Sequence, residues 1–503
     1  MFYPQLGTYN QDKAVIEPST DDLFIPSLTV KKDLGDFTLT SVSSALQRRF
    51  SFQSDGTFFN SDVIATAFLD PAYPSKAAED DAVIGTLPSP VRRTDRDYQE
   101  SEELRATSND AKLFGRNLNW IAGLYFENSR QVRDDNENAP GLGADFEKIY
   151  GFSIDNSAIG NATLPGVFYG NDLVYRDNQS LDQVQYAAFT QADYEILPDL
   201  KATAGVRYSY ATQNYYRNSG GVLAFGNVNP FTAQDSSYSL TPKFSLTYDL
   251  DPNSTLYSTV AKGYRLGGPT GPVASSNCHN DLAAIGINTP PTSYGPDKLW
   301  SYEAGAKELL LDNRLSVDAD VYYIDWSNIQ QSINLPTCGA SITQNLGAAE
   351  SYGTEFQLHA KVLPGLTLGV VGGITRAIIT DSPNTLTAAP GEDVLNTPKW
   401  TGTFSADYEW PLTNAIDAFA RADLDVVGSS HGAFNDTDPA FNQPRYTVLN
   451  GSLGFTVDSY VVTLYAKNLG DNNKIIQRPS INFVEEAYTL RPLTIGMTAS
   501  MKF

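Results

Sequence analysis

The sequence has 503 residues, of which 41% are hydrophobic, 12% aromatic and 18% charged, and its formal net charge is −23. No run of about 18 uncharged apolar residues occurs, which excludes a helical membrane span. Such an acidic chain cannot replace the counterions of a phosphate backbone, which excludes nucleic acid as a partner. The aromatic content argues against disorder, and no signal peptide is visible after Met1.

Alternation of apolar and polar residues runs through most of the chain and predicts β-strands. At 200–210 and at 238–250, apolar residues fill every second position and mostly polar residues the positions between. Such half-apolar strands are typical of antiparallel sheets, so the predicted fold class is all-β. Seventeen segments are predicted as strands: 26–32, 37–47, 96–109, 119–133, 173–196, 200–215, 236–250, 255–265, 299–311, 314–332, 341–363, 366–379, 399–410, 416–428, 446–457, 460–469 and 488–503.

Strand length and connection length together predict a barrel. Many segments have ten residues or more, which is about the number that crosses a bilayer at a tilt of ~45°. Short connections with turn residues, such as Asp312-Asn313 and Pro364-Gly365, alternate with longer ones. Tight turns at one rim and long loops at the other are typical of an antiparallel up-and-down transmembrane β-barrel. A β-propeller would show a sequence repeat of about 40–50 residues and a β-sandwich Greek-key connections, and neither is visible.

The C-terminal segment has an amphipathic pattern that ends on an aromatic residue. Every second residue is apolar, and the positions between are polar or glycine. This arrangement resembles the signal that the outer-membrane barrel-assembly machinery reads; the alternative is a soluble edge strand that ends on phenylalanine by chance. The predicted signal residues are Leu493, Ile495, Met497, Met501 and Phe503.

The odd number of strands has a topological consequence. Bacterial outer-membrane barrels have an even number of strands, because an open sheet edge is not tolerated in lipid. If the last strand runs to the periplasm, the first begins at the loop side. We therefore expect 1–25 to be an extracellular-loop remnant and 26–503 to be a barrel truncated at its N-terminal end, unless one strand is miscounted.

Catalytic chemistry has little support in the sequence. Its three histidines are dispersed, and neither a His-Glu-x-x-His nor a Gly-x-Ser-x-Gly motif occurs. We expect no enzymatic activity, cofactor or metal site. Four alternating carboxylates are spaced closely enough for a paired acid and base, but a hydrated inner wall is the favoured interpretation. They are Asp318, Asp320, Asp423 and Asp425.

The predicted long loops contain the remaining candidate residues. Cys278 and Cys338 fall in consecutive extracellular loops, where an oxidising envelope permits a disulfide; two unpaired cysteines are the alternative. Loop aromatics could stack on a ligand, and acidic patches are expected to keep the rim solvated. These aromatics are Phe168, Tyr169 and Tyr294, and the patches are Glu79-Asp80-Asp81 and Asp134-Asp135.

Several segments resemble the TonB-dependent outer-membrane receptor family. A Lys-Gly-aromatic-basic run before a glycine-rich loop, the strand after that loop and a closing hairpin occur in the order found in the family. The matching segments are Glu100-Ser101-Glu102-Glu103-Leu104, Lys262-Gly263-Tyr264-Arg265, Trp300-Ser301-Tyr302-Glu303-Ala304-Gly305, Asp312-Asn313-Arg314-Leu315, Tyr322-Tyr323-Ile324-Asp325-Trp326, Ala466-Lys467-Asn468-Leu469 and the terminal Phe503.

The resemblance implies a barrel of 22 strands, about 17 of which are present, with a lumen filled by an N-terminal plug that contacts the TonB complex. No plug-like region is visible, so the expected chain is a plug-less barrel portion that lacks what is needed for coupling. The implied function is outer-membrane transport of a scarce nutrient, namely a ferric siderophore, vitamin or oligosaccharide, in a Gram-negative bacterium. Implied partners are outer-membrane lipid, the barrel-assembly machinery, TonB and a small-molecule or chelate ligand. A passive porin-like channel and a secreted β-rich enzyme are the alternatives.

Overall fold

The computed structural model describes residues 13–154, 172–221, 223, 230–271, 273, 278–335, 340–345, 347–382, 388–438, 440–478 and 487–501. Most of their regular structure is β-strand. In chain order the strands are β1 (Ser19–Phe24), β2 (Ser27–Asp33), β3 (Phe37–Asp55), β4 (Pro90–Ser108), β5 (Lys112–Leu113), β6 (Arg116–Asn138), β7 (Leu173–Leu197), β8 (Leu200–Gly220), β9 (Phe231–Asp251), β10 (Ser254–Arg265), β11 (Gly268–Pro269), β12 (Ser293–Tyr294), β13 (Asp297–Leu310), β14 (Leu315–Ser327), β15 (Gln330–Leu335), β16 (Ala340–Asn345), β17 (Ala348–Leu363), β18 (Leu366–Asp381), β19 (Trp400–Thr413), β20 (Ile416–Val427), β21 (Ser430–His431), β22 (Asn442–Gln443), β23 (Tyr446–Val457), β24 (Tyr460–Lys467), β25 (Ile475–Gln477), β26 (Tyr488–Thr489) and β27 (Thr494–Met501).

Helical segments occur in the long connections. None of those in the described part of the chain has the length and apolarity to cross a membrane. They are π-helical turns at Phe58–Asp62 and Ile64–Leu69, α1 (Asp70–Ala72), a 3-10 turn at Pro74–Lys76, α2 (Ala77–Val83), α3 (Leu142–Tyr150) and α4 (His279–Ala284).

One antiparallel sheet of nineteen described strands contains every long strand, each paired with the next long strand along the chain. Strands β1 and β2 both pair with β3, with Phe24 opposite Gln47 and Ser27 opposite Ser44. Pro26 lies between them and has no amide hydrogen to donate, so they form one interrupted edge strand. With β5 set aside, the described sheet has seventeen long strands in up-and-down order, as the alternation pattern predicts.

The apolar faces of these strands are exposed rather than packed in a core. On β9, Tyr238, Leu240, Phe244 and Leu246 are 71%, 51%, 56% and 51% exposed. A water-soluble sheet would bury this face against a second layer. Exposure of a continuous apolar face is what a barrel wall presents to lipid.

Buried apolar residues cluster instead in the long connections. The largest cluster includes Ile64, Leu69, Phe146 and Val174 and joins the helical segments to the first residues of β7, at the long-loop rim. A second cluster joins α4 to the hairpin β15–β16, and a third lies around Ile379. Packing therefore orders the long-loop rim above the lipid-facing part of the sheet.

Several strands extend beyond their predicted ends. The predicted loop 48–95 is wrong at both ends, because β3 continues to Asp55 and β4 begins at Pro90. Similarly, β6, β8 and β9 have 21 to 23 residues, about twice the number needed to cross a bilayer. Strand β7 has 25 residues and agrees with the predicted segment 173–196 to within one residue. The extensions lie beyond the lipid, so both their faces are polar and the apolar alternation that marks a strand is lost.

Other predicted boundaries are corrected by breaks in the strands. The predicted segments 314–332 and 341–363 each divide, because Asn328 and Gly347 adopt left-handed backbone with φ of 60° and 73°. Their outer parts form the separate hairpin β15–β16. The predicted strand 488–503 contains Pro492, and β27 begins only after it, at Thr494.

The expected loop remnant at 1–25 is wrong in its final part. Ser19–Phe24 is strand β1, which pairs with the polar extension of β3 from Gln47 to Phe52. This segment shows little apolar alternation, because Thr20, Asp21 and Asp22 put polar groups on both faces. Residues 1–12 lie outside the described part.

The short turns set the other rim of the sheet. Gly365 has φ of 80°, and a Cβ placed there would lie 2.1 Å from the carbonyl oxygen of Glu409. Only glycine accommodates both the left-handed backbone and this close approach. The turn thus fixes how β17 and β18 meet β19 at this rim.

Candidate functional site

The inner face of the sheet contains the four carboxylates identified in the sequence. Asp318, Asp320 and Asp425 line one cavity of about 590 Å³. Asp423 accepts a hydrogen bond from Nε of Arg421 at 3.0 Å. All four therefore belong to one polar inner surface, on the side of the sheet away from the exposed apolar residues.

A denser group of charged residues lies on the inner face of four neighbouring strands near the long-loop rim. Arg93 lies opposite Asp135 in the β4–β6 pairing, and Asp135 lies opposite Asp177 in the β6–β7 pairing. We call this group the charged wall. It comprises Arg93 and Asp95 on β4, Arg133, Asp135 and Glu137 on β6, Tyr175 and Asp177 on β7, and Arg217 on β8.

Asp95 is the centre of one ion-pair group in the charged wall. Nη2 of Arg93 lies 2.8 Å from Oδ2 of Asp95, and Nε of Arg133 lies 3.2 Å from Oδ1. Burial raises the pKa of Asp95, but the hydrogen bonds and positive charges of the two arginines outweigh it and the pKa is lowered. Asp95 therefore stays ionised and holds both guanidinium groups.

Arg217 is the centre of a second ion-pair group. Its Nε donates to Oδ1 of Asp177 at 2.9 Å, and its Nη2 donates to the hydroxyl of Tyr175 at 3.1 Å. Asp177 is only 4% exposed. Burial raises the pKa of Tyr175 to about 12, so its hydroxyl remains protonated.

Asp135 and Glu137 have a different environment. Strand β6 begins at Arg116 on the short-turn side, and Asp135 and Glu137 lie about twenty residues further along it. Because about ten residues cross the lipid, these two side chains lie outside the membrane on the long-loop side. Burial raises the pKa of Glu137 to about 7, with a further increase from Asp135 and an opposing effect from the side chain of Asn60. Burial likewise raises the pKa of Asp135 to about 6. Both carboxyl groups are thus less readily ionised than carboxyl groups exposed to water.

A layer of helical segments covers the charged wall at this rim. Phe146 of α3 stacks on Tyr150 with ring centroids 4.3 Å apart, and Tyr73 contacts Tyr150 at 4.7 Å. Asn60 is fully buried and donates its Nδ2 to Oγ of Ser89 at 2.9 Å. We call the segment 57–87 together with α3 the loop layer. Its apolar packing fixes one side of the site.

The end of the Lys262-Gly263-Tyr264-Arg265 segment is fixed by a buried carboxylate. Asp297 is 2% exposed, and it accepts hydrogen bonds from the backbone amide and Nε of Arg265 at 3.1 and 2.8 Å. Nε1 of Trp326 donates to the same carboxylate at 3.1 Å, and the Arg265 guanidinium lies 5.0 Å from the Trp326 ring centroid. These contacts join β10, β13 and β14 where the glycine-rich loop begins.

Cys278 lies in the second buried cluster of the long-loop rim. It is 1% exposed and packs with Leu282 of α4 and with Ile333, Leu335 and Ile342 of the β15–β16 hairpin. Cys278 is disulfide-bonded. Cys338 lies outside the described residues, and its pairing with Cys278 stays a prediction.

The disulfide prediction has a direct test. We expect the denatured chain to show no free thiol without reductant and two with it, and Cys278→Ser to expose one. Because the predicted bridge closes a long loop, its reduction should lower the local stability of the α4 region by about 2–4 kcal/mol. Thiol titration and proteolysis with and without reductant measure both effects, and equal thiol counts would contradict the pairing.

Other sequence candidates are distributed around the rims. Tyr294 is half-buried on β12, and Asp80 is fully buried and accepts a hydrogen bond from Tyr150, so the expected solvation of its acidic patch is wrong for this residue. Phe168 and Tyr169 lie outside the described residues.

The predicted assembly-signal residues are at the last strand. Leu493, Ile495, Met497 and Met501 are 42%, 74%, 67% and 44% exposed, and Thr494–Met501 pairs with β24. Phe503 lies outside the described residues. A role in assembly stays a prediction.

The charged wall is the part of the site that sequence reasoning missed. The predicted strands contain Arg133, Tyr175 and Asp177 but end short of Arg93, Asp95, Glu137 and Arg217, and Asp134-Asp135 was interpreted as a solvated patch. The available signal was charge at every second position, Arg93 with Asp95 and Arg133 with Asp135. Opposite charges on facing strands stabilise a sheet, but this pattern has no apolar component to mark a strand.

Known proteins of one family are similar to the chain. A family model described as TonB dependent receptor-like, beta-barrel matches residues 7–469. The metal-pseudopaline receptor CntO of Pseudomonas aeruginosa is 24% identical over 276 residues, which are 55% of this chain and 35% of that receptor.

Solved structures share the fold. The ferric yersiniabactin uptake receptor FyuA from Yersinia pestis has a TM-score of 0.70 at 16% identity, over 98% of this chain and 63% of that one. The siderophore receptor PiuA from Acinetobacter baumannii has a TM-score of 0.67 at 15% identity, over 96% and 64%. This chain therefore spans less than two thirds of each of these proteins, and about a third of CntO.

These comparisons agree with the sheet order, the lipid-facing apolar surface and the motifs in the sequence. Receptors of this family are outer-membrane proteins of Gram-negative bacteria, which assigns the chain to that membrane. The resemblance seen in the sequence is confirmed: the chain belongs to the TonB-dependent receptor family and forms its β-barrel.

Proposed function

We propose that this chain is the barrel of an outer-membrane receptor that binds a metal chelate at its long-loop side for TonB-dependent uptake. Support for the chelate comes from similar proteins, since one is named for metal-pseudopaline, one for ferric yersiniabactin and one for siderophores. A metal chelate is therefore preferred to a vitamin or an oligosaccharide. In the family, coupling to TonB runs through a plug in the barrel lumen.

The observation that carries this proposal is the charged wall above the lipid-facing surface. Arg133 of this wall keeps 43% of its side chain exposed while it is bound to Asp95. Arg265, outside the wall at the end of β10, keeps 52% exposed while it is bound to Asp297. A guanidinium group presents several donors in one plane and binds carboxylate or catecholate oxygens at two points. Exposed guanidinium groups at the long-loop rim could therefore bind an anionic chelate that arrives from outside the cell.

A binding experiment tests the proposal. The purified chain in detergent is titrated with a panel of ferric siderophores while tryptophan fluorescence is recorded. We expect saturable quenching by at least one chelate, and Arg133→Gln should weaken its affinity about tenfold because a charged hydrogen bond is lost.

Arg130→Gln is the matched control. Arg130 is on the same strand but the outer face, where it lies 3.5 Å from Asp182, so its replacement should leave affinity unchanged. A passive porin-like channel would instead show no saturable binding of any chelate in the panel. That result would contradict the receptor proposal.

A further inference from the structure

Three buried oxygen atoms at the junction of the loop layer and β6 have no hydrogen-bond partner in the described part of the chain. They are Oδ1 of Asn60, Oδ1 of Asp135 and Oε2 of Glu137. Asn60 is fully buried and Glu137 is 8% exposed. Buried acceptors are paired in nearly all protein structures, so three together call for a missing ligand.

The three side chains come from two different elements, and both Asn60 and Asp135 influence the pKa of Glu137. Asp135 and Glu137 are two residues apart on β6, so both side chains are on its inner face. Asn60 comes from a π-helical turn of the loop layer, and hydrogen bonding from its side chain opposes the rise in the pKa of Glu137. Ser89 supports this junction, since it accepts from Asn60 and donates its own hydroxyl to the carbonyl of Asn138 at 2.7 Å.

The neighbouring positive charges are already engaged. Arg93 and Arg133 hold Asp95, and Arg217 holds Asp177 and Tyr175. The charged wall therefore has four carboxylates and three guanidinium groups, and no ion pair of Asp135 or Glu137 is present among the described residues. A cation bound at this junction would offset the remaining negative charge.

We propose that Asn60, Asp135 and Glu137 are ligands of a hard divalent cation of the Ca²⁺ class, which ties the loop layer to β6. A single proton bound to one of the three oxygens can form a hydrogen bond to only one other, which leaves the third unpaired. Ca²⁺ instead accepts six to eight oxygen ligands, including water. The donors are all oxygen, which disfavours zinc and copper. No group of three or more Asp, Glu, His or Cys side chains in the described part is placed to hold a metal, so the amide oxygen and water complete the site. The inference is independent of the proposed transport function.

Limited proteolysis of the full chain tests the cation site. The protein is purified in detergent, stripped with EDTA and treated with trypsin at pH 8 with or without CaCl₂, and cleavage after Lys76 in the loop layer is followed. At Ca²⁺ about ten times its dissociation constant, cleavage through local opening should slow about tenfold. Terbium(III), whose emission is sensitised by a nearby tyrosine, gives a direct binding measurement that Ca²⁺ should reverse.

Substitutions locate the ion. Glu137→Gln and Asn60→Ala should each abolish the Ca²⁺ protection and weaken terbium binding at least about tenfold. Glu147→Gln, an exposed residue of α3, is the matched control and should keep both. A change of gel mobility on heating confirms that each variant is folded. If a variant fails to fold, cleavage of the unmodified protein with and without Ca²⁺ still tests the proposal.

Three outcomes would overturn the proposal. The first is equal cleavage of the unmodified protein in EDTA and in Ca²⁺. The second is protection at pH 5 without any added effect of Ca²⁺ at pH 8, which would place a proton at the junction. The third is loss of binding in Asp70→Asn but not in Glu137→Gln, which would place the ion at Asp62, Asp70 and Asp81, three carboxylates of the loop layer that interact with one another.

Discussion

Replacing Leu464 with lysine is expected to lower the free energy of unfolding of the barrel in lipid vesicles by about 2–4 kcal/mol. Leu464 is 56% exposed, and its cross-strand neighbours Leu453 and Met497 are 60% and 67% exposed. These three side chains form part of the apolar surface that meets acyl chains. An ammonium group at this depth would lose its hydration without gaining a partner.

The adjacent position provides a matched control. Thr463 is on the opposite face of β24, across from Gly454 and Thr498, so Thr463→Lys should change stability by less than about 1 kcal/mol. Denaturant titration followed by tryptophan fluorescence and by gel mobility measures both variants. Equal destabilisation by the two substitutions would mean that the assignment of faces is wrong.

Removal of the Asp297 carboxylate is expected to have the second large effect. Asp297→Ala leaves the Arg265 guanidinium and the Trp326 indole without their shared acceptor, so the loop between β10 and β13 should open more readily. Because these are charge-assisted hydrogen bonds to a buried carboxylate, we expect a loss of about 2 kcal/mol in the free energy of local opening. That corresponds to roughly thirtyfold faster hydrogen exchange or proteolysis of 266–296.

Asp325→Ala is the control for charge removal. Asp325 is exposed on β14, opposite Trp300 and Glu350, and its loss should leave the loop unaffected. Trp326→Phe, which removes the indole donor but keeps an aromatic ring beside Arg265, should give an intermediate rate. Equal exchange in the Asp297 and Asp325 variants would contradict the role assigned to the buried carboxylate.

The lipid-crossing part of the fold was predictable because lipid imposes a simple pattern. Every residue of a barrel strand faces either acyl chains or the interior, so apolar and polar residues must alternate. The bounds of β10, β20 and β23 therefore agree with the predicted segments to within one residue. Because short and long connections alternate along the chain, the up-and-down order of the strands was predictable as well.

The strand extensions and the charged wall were not predictable by the same reasoning. Beyond the lipid, Arg93, Asp95 and Asp135 are on strand extensions whose two faces are both polar. Their sequence is indistinguishable from that of a solvated loop by apolar alternation alone. Only pairing with neighbouring strands makes these charges partners, since Asp95 and Arg133 are 38 residues apart along the chain.

By itself the sequence determined the all-β class, the number of long strands, their alternation of faces and the membrane family. These properties depend on short-range periodicity and local turn chemistry, which each segment contains in full. The tertiary structure alone decided which charges meet at the long-loop rim, that Asp80 and Glu137 are buried, and that Asn60 reaches β6. These depend on contacts between segments distant in the chain, and burial changes the chemistry of a carboxylate only once such a contact has removed its water.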